Sequence, residues 1–223
     1  MTKLEFLQAS PIFAEVAQPE LEAISLRMFE KKLPRGEMVF IEGNTASTLF
    51  FVAEGVIKLF KTSIDGKEQV TSLIRPGDLF NIVPICDRGP TPVNAQALGP
   101  VVLYGLTRDD LDTALQDSPK LAQNINYLLA QRIRSLISLV EDLSFRSVIS
   151  RVARILLENL SDPSKLPVPR LTQRDMAAMA GTAREVVARA LKDLESTELI
   201  EIRSHQVAIR NKKGLEQIVD MGI

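Results

Sequence analysis

Residues 184–189 bring together side chains of the types that recognise nucleic-acid bases. Arg184 and Glu185 begin a predicted helix, and Ala188 and Arg189 follow about one turn later on its outward face. An arginine can donate two hydrogen bonds to the edge of a guanine, and a glutamate can accept one from the amino group of a cytosine. The pattern therefore predicts a helix that reads base edges in the major groove of DNA.

The elements that position this helix are two short helices joined through a glycine. Thr172 is predicted to cap the first helix, with Asp175 three residues later as a weaker form of the capping box. This helix is expected to stop at Gly181, which can adopt the left-handed conformation. A second cap is predicted at Thr182, before a helix over 183–196. Such a pair is typical of a helix-turn-helix.

Two short apolar runs, 199–202 and 207–209, follow the second helix and are predicted to form a wing. From 170 to 213 the chain has nine basic and six acidic residues, a local charge of +3, whereas the whole chain carries −1. A locally basic segment is typical of a DNA-binding module. Besides the base-reading residues 184, 185, 188 and 189, the residues expected at the DNA are Thr172, Gln173, Arg174 and Thr182, and the wing residues Arg203, His205, Arg210, Lys212 and Lys213.

Residues 28–106 have the pattern of an all-β domain. Short apolar runs are punctuated by turn signals, and the runs are 38–41, 49–52, 56–60 and 101–104. Many short strands at nearly regular spacing predict an antiparallel barrel or roll. Helix signals precede this segment and return after Thr107.

The stretch 119–145 lacks Gly and further Pro after Pro119, so it is predicted to be one long helix. Its apolar spacing places β-branched residues at a positions and leucines at d positions, which favours a parallel two-stranded coiled coil. The predicted dimer interface is Asn126, Leu129, Ile133, Leu136, Val140 and Leu143. A second row is left to face the barrel: Leu121, Ile125, Leu128 and Leu139. The alternative is that the first stripe also packs on the chain's own barrel.

The composition excludes several classes of protein. One Cys and one His exclude four-cysteine iron–sulfur ligation, an all-Cys/His zinc site and an intrachain disulfide within the chain. No acid–base or nucleophile constellation supports an enzyme. Without a signal-peptide pattern or an apolar run of about 18 residues, the chain is expected in the cytoplasm and not in a membrane.

The chain resembles the Crp/Fnr superfamily of transcription regulators. The resemblance rests on TQRDMA at 172–177, GTAREVVARALKDLE at 181–195, PRGE at 34–37 and PGD at 76–78. It implies an α+β fold with a cyclic-nucleotide-binding-like β-roll over 1–118, a dimerisation helix over 119–145 and a winged helix-turn-helix over 146–223. Subgroups differ at the position of Ala188, so a half-site close to TGTGA or TTGA is expected.

The sensor segment departs from the relatives that bind cyclic AMP. Those relatives carry Gly-Glu-Leu after the Gly-Asp pair and an Arg-Ser shortly afterwards, whereas here Asp78 is followed by LFNIVP and 90–95 reads PTPVNA. In those relatives a position of the dimerisation helix supplies a hydroxyl to the adenine of cyclic AMP, and this position is Leu136 here. Leaving a phosphate unpaired in a pocket costs several kcal/mol, so cyclic AMP is not expected as the effector.

The nature of any effector stays open. A pocket for a small, rather apolar metabolite is expected around Phe80, Asn81, Ile82, Val83, Arg132 and Leu136. Of these, Arg132 is retained from the family and is expected to meet an anion of another effector. No cofactor is identified, and regulation without any effector is equally open. Cys86 is interpreted either as a redox switch or, more commonly for such residues, as a small core residue.

The sequence predicts a homodimeric, sequence-specific DNA-binding transcription regulator that reads an inverted repeat in double-stranded DNA and also contacts RNA polymerase. The alternative is a regulatory β-roll that acts on a protein partner. That alternative needs neither the wing nor the Arg184–Glu185 pair. Activator or repressor status and the target genes do not follow from the sequence.

Overall fold

The computed structural model describes residues 2–160, 171–203 and 206–221. Its packing divides the chain into two compact units, Met1–Lys61 with Ser72–Ser135 and Thr62–Thr71 with Leu136–Ile223. The predicted proline-rich connector lies outside the described residues, as does His205.

The first unit is the predicted antiparallel roll, flanked by helices. Pairs such as β3 with β8 and β4 with β7 are antiparallel, and the strand orders are β1-β8-β3-β6 and β2-β7-β4-β5. The strands are β1 Phe29–Leu33, β2 Met38–Phe40, β3 Thr48–Glu54, β4 Ile57–Thr62, β5 Glu68–Ile74, β6 Leu79–Phe80, β7 Asn94–Ala97 and β8 Val101–Thr107. The helices are α1 Lys3–Ala9, α2 Gln18–Arg27, α3 Ile82–Asp87 and α4 Arg108–Asp117. The α+β class and the roll are confirmed.

The inside of the roll is filled by aromatic and aliphatic side chains. Phe50 and Phe80 stack with ring centroids 5.5 Å apart, and Phe40 packs on Phe80 at 5.9 Å. The predicted turn at Gly55 is enforced sterically, since φ is +82° there and a Cβ would collide with the Pro100 carbonyl. Burial of these large apolar side chains therefore stabilises the roll.

The long helix α5 runs over Pro119–Phe145 without a break, as its sequence predicts. Leu121 and Ile125 are buried in the core of the first unit, and Leu128 packs against that core. The prediction that a second apolar row covers the roll is confirmed for these three residues.

The second unit contains a compact helical core with a two-stranded sheet. Its elements are α6 Val148–Leu160, α7 Gln173–Ala180, α8 Arg184–Ser196, β9 Ile200–Arg203, β10 Gln206–Ile209 and α9 Lys212–Met221. The interior is built mainly by Val152, Leu156, Val187, Leu191 and Leu215. Sequence reasoning missed α9 and assigned Lys212 and Lys213 to the wing, whereas both lie in the first turn of this helix.

Among the described residues, no helix is both long and apolar enough to cross a membrane.

Candidate nucleic-acid interface

The start of α7 is fixed by a complete capping box. Thr172 Oγ1 accepts a hydrogen bond from Asp175 N at 3.1 Å, and Asp175 Oδ2 accepts from Thr172 N at 2.9 Å. These bonds satisfy backbone donors that a helix start otherwise leaves unpaired. Gln173 and Arg174 are thereby held in the first turn, where Arg174 is exposed.

The turn between the two helices is closed by Gly181 at φ +62°. Gly181 N and Thr182 N both donate to the carbonyl of Ala177, the latter at 3.0 Å. Thr182 thus belongs to the end of α7. The predicted cap at Thr182 is wrong, because α8 begins at Arg184 and Ala183 occupies the cap position.

In the structure, Ala183 provides no side-chain hydrogen bond to the start of α8. The first N–H groups of a helix need an acceptor from outside the helix when no side chain caps them. The helix dipole favours an anionic acceptor such as a phosphate at this end. The start of α8 thus suits an approach to the DNA backbone beside the base-reading side chains.

One face of α8 is buried and the opposite face is exposed, as predicted. Val187, Ala190, Leu191 and Leu194 lie in the core of the second unit. On the other face Arg184, Glu185 and Arg189 are exposed, and Ala188 is half-buried. A helix whose apolar face is anchored in this way presents its polar face rigidly, which base recognition requires.

The wing is confirmed as an antiparallel pair in which Ile200 faces Ile209 and Arg203 faces Gln206. Glu195, near the end of α8, accepts a hydrogen bond from Ile202 N at 2.9 Å. This bond ties the wing to α8, which is the recognition helix because it carries the predicted base-reading residues. Arg203 and Arg210 are exposed and both bond to Glu201, an arrangement that sequence reasoning missed.

The predicted dimer stripe on α5 is largely exposed in a single chain. Ile133 is 59% exposed and Val140 is 62% exposed, although both are aliphatic. Leu136 and Ile137 are similarly exposed, whereas Leu129 packs partly against the core of the first unit. An apolar row left open to water needs a partner surface to be buried, so this stripe suits a helix–helix interface.

A cluster of charges at the junction of α5 and α6 has no counterpart in the sequence predictions. The Asp142 carboxylate is buried and lies 2.8 Å from Arg146 Nε and 3.2 Å from Arg154 Nη1. Neither Arg146 Nε nor Asp142 Oδ1 makes a hydrogen bond, so their contact is an ion pair without one. Arg151 donates to the carbonyls of Asp142 and Arg146, which closes the end of α5.

The predicted effector residues do not surround an open anion site. Arg132 donates to Asp78 Oδ1 at 2.9 Å and to the Leu79 carbonyl, so a protein carboxylate already neutralises it. Phe80 and Ile82 are fully buried. Asn81 adopts φ +70° and donates to the Thr48 carbonyl at 2.9 Å.

The remaining effector candidates are exposed. Val83 is 48% exposed on α3, and Leu136 is 49% exposed in the second unit. A cavity of about 190 Å³ lies between α2 and α4, lined by residues such as Pro19, Ile24 and Ala114. It shares no lining residue with the predicted effector set.

Cys86 is exposed on α3, so its interpretation as a core residue is wrong. Partial burial of the thiol, together with the charges of Asp87 and Asp112, raises its pKa above the ordinary value. A raised pKa lowers the thiolate fraction at neutral pH, which disfavours the reactive form that a redox switch needs.

Comparison with known proteins agrees with this geometry. Residues 30–118 match the cyclic nucleotide-binding domain family, and residues 150–218 match the Crp-like helix-turn-helix domain. The chain is 32% identical over 213 residues to the cyclic AMP receptor protein of Thermus thermophilus, covering 95% of this chain and 98% of that protein. It is 26% identical to the global nitrogen regulator of Synechococcus elongatus, covering 89% and 93%.

A solved structure of the c-di-GMP responsive global regulator CLP of Xanthomonas campestris has the same fold. The TM-score is 0.77 at 21% identity, and the match covers 86% of this chain and 99% of that chain. The two family matches, the similarity over nearly the whole length and the exposed arginines of α8 agree. The chain belongs to the Crp/Fnr superfamily of DNA-binding transcription regulators.

Proposed function

We propose that the protein is a homodimer that binds an inverted repeat in double-stranded DNA and regulates transcription from it. The observation that carries this proposal is the division of α8, with Val187 and Leu191 buried and Arg184, Glu185 and Arg189 exposed. In this arrangement the arginines meet guanines and Glu185 accepts from a cytosine amino group. Gln173, Arg174 and the wing arginines contact phosphates on either side.

Dimerisation through α5 supplies the two-fold symmetry. Burial of Ile133, Leu136 and Val140 against a second copy removes apolar surface from water. A two-fold dimer places its two recognition helices in successive major grooves, roughly 34–36 Å apart. The DNA site is therefore an inverted repeat whose half-sites are about one helical turn apart.

We propose further that the effector is not cyclic AMP, although the Thermus thermophilus relative is named a cyclic AMP receptor protein. Two features of the first unit support this. Arg132 is paired with Asp78, and the buried Ile82 offers no polar group to a ribose. A cyclic phosphate entering here has to displace the Asp78 carboxylate and lose its own hydration without a charged replacement.

The proposed site of action is the cytoplasm, where chromosomal DNA and RNA polymerase are accessible. Contact with RNA polymerase is part of the proposal, because a regulator changes initiation by recruiting or blocking that enzyme. A role confined to a protein partner is less favoured, because it gives no reason for an arginine-bearing wing anchored to α8 by Glu195.

Binding of a labelled inverted-repeat duplex, followed by fluorescence anisotropy over a range of salt concentrations, tests the proposal. We expect the affinity to fall steeply with salt and Arg184→Ala to weaken specific binding by about 5- to 150-fold, which corresponds to about 1–3 kcal/mol. Arg35→Ala removes another exposed arginine, which lies in the roll, and is the control. Unchanged affinity and sequence preference in Arg184→Ala contradict the assignment of base reading.

A further inference from the structure

The wing carries one carboxylate shared by two arginines. Glu201 and Arg203 are two residues apart on β9 and therefore point to the same face of the strand pair. Glu201 Oε1 accepts from Arg203 Nε. Glu201 Oε2 accepts from Arg210 Nη2 at 2.7 Å and from Arg210 Nε at 3.1 Å. Both guanidinium groups are thus held against a single side chain.

The cluster keeps a net positive charge and stays open to solvent. The side chains of Arg203 and Arg210 are 74% and 54% exposed, whereas that of Glu201 is 26% exposed. A guanidinium has five N–H donors, and Glu201 takes one from Arg203 and two from Arg210. The pair therefore retains donors for another acceptor.

The backbone beneath the cluster is anchored on both sides. Glu195 of α8 holds Ile202 N at 2.9 Å, directly between Glu201 and Arg203. Arg210 N and Asn211 N both donate to the Leu199 carbonyl, at 2.9 and 3.1 Å. The backbone next to Arg203 is consequently held by α8, and the backbone of Arg210 is held by Leu199, the residue before β9.

If Glu201 acted only through its charge, it would weaken DNA binding. A carboxylate on a DNA-binding surface repels phosphates, so its removal on that view strengthens binding and steepens the salt dependence. If Glu201 instead holds the two arginines in place, its removal weakens binding. Two long arginine side chains lose considerable conformational freedom when they bind one anion without support. The hydrogen bond from Arg203, followed by that from Arg210, lowers the pKa of Glu201, which keeps the carboxylate ionised at neutral pH.

We propose that Glu201 is a positioning residue that holds Arg203 and Arg210 together as a clamp for a backbone phosphodiester of the DNA. The proposal rests on the proposed DNA-binding function and assigns a residue to it. The clamp contacts phosphate and not a base, so it contributes affinity without changing the preferred sequence.

The test is Glu201→Gln, which preserves shape and removes the charge. We expect about 5- to 20-fold weaker binding to the specific duplex. The slope of log K against log salt is expected to fall by about 1. The preferred sequence is expected to stay unchanged. Asp220→Asn on α9 removes the same charge from an exposed position of the same unit and is the matched control.

A double-mutant cycle separates positioning from loss of wing structure. In the Arg203→Ala/Arg210→Ala background, Glu201→Gln is expected to change DNA affinity by less than about twofold. Circular dichroism and the thermal midpoint establish that each variant is folded. Equal or tighter binding by Glu201→Gln, or an undiminished effect in the double-alanine background, overturns the clamp.

The two proposals fail in different ways. If the unaltered protein binds DNA and Arg184→Ala loses specificity while Glu201→Gln binds normally, only the clamp is wrong. If the unaltered protein shows no salt-dependent binding to any duplex, the DNA-binding function is wrong and the clamp falls with it.

Discussion

Arg132 on α5 and Asp78 in the turn before β6 form an ion pair with a nitrogen–oxygen distance of 2.9 Å. This pair joins the long helix to the roll at the place where the sequence predicts an effector. The same arginine also bonds to the Leu79 carbonyl, so the pair is part of the packing of the first unit.

The ion pair predicts that cyclic AMP neither binds nor activates the protein. Titration calorimetry with cyclic AMP at micromolar protein concentration is expected to show no saturable heat. DNA affinity is expected to be equal with and without the nucleotide. Saturable micromolar binding, or DNA binding that depends on cyclic AMP, contradicts this prediction.

Asp78→Asn tests the structural role of the same pair. We expect a loss of about 0.5–1.5 kcal/mol in the free energy of unfolding, because one charge-assisted bond of a partly exposed pair is weakened. Denaturant titration measures this change. Asp65→Asn, in the exposed turn after β4, is the control and is expected to change stability by less than about 0.5 kcal/mol.

The exposed stripe on α5 predicts that charge at its centre separates the dimer. Ile133→Glu and Val140→Glu are expected to give monomers in sedimentation velocity experiments, since each dimer would bury two like charges in an apolar seam. Gln131→Glu adds the same charge at an exposed position of α5 outside the stripe and is expected to leave the dimer intact. A dimer that survives both stripe variants would mean that the interface lies elsewhere.

The charge cluster at the end of α5 predicts a stability effect at Asp142. Asp142→Asn removes the carboxylate that lies nearest to the partly buried Arg146 and Arg154, and we expect a loss of about 1–3 kcal/mol. Its neighbour Glu141 is more exposed and lies 3.8 Å from Arg146, so Glu141→Gln is expected to cost less than about 0.5 kcal/mol. Equal effects of the two variants in thermal unfolding contradict this assignment.

The environment of Cys86 predicts slow alkylation at neutral pH. Burial and the charges of Asp87 and Asp112 raise the thiol pKa, so the thiolate forms only at higher pH than in a free cysteine. The rate of reaction with iodoacetamide is expected to rise with pH to a midpoint above that of a free cysteine in the same buffer. Asp112→Asn is expected to move the midpoint down. A midpoint below that of free cysteine restores the redox-switch interpretation.

The features that the sequence predicts well are set by neighbours along the chain. The capping box at Thr172, the left-handed Gly181 and the buried face of α8 all depend on residues within a few positions of one another. The single long helix α5 follows in the same way from its spacing and from the lack of internal Gly and Pro.

The features that the sequence does not reveal depend on contacts between distant or exposed residues. Strand β1 has the sequence FEKKL, which lacks strand alternation, and it forms because β8 pairs along its whole length. Glu201 and Arg210 meet only after the wing folds back on itself. The cap position of α8 is also not revealed, because Ala183, which occupies it, has no side-chain oxygen that would mark it.

Two-fold symmetric reading of DNA by α8 is tested best by selecting bound sequences from a random duplex library. We expect enrichment of an inverted repeat with half-site centres roughly one helical turn apart, about 10 base pairs. The Arg184→Ala protein is expected to lose preference at one base pair in each half-site. Enrichment of single half-sites, of direct repeats or of no sequence at all would contradict the claim.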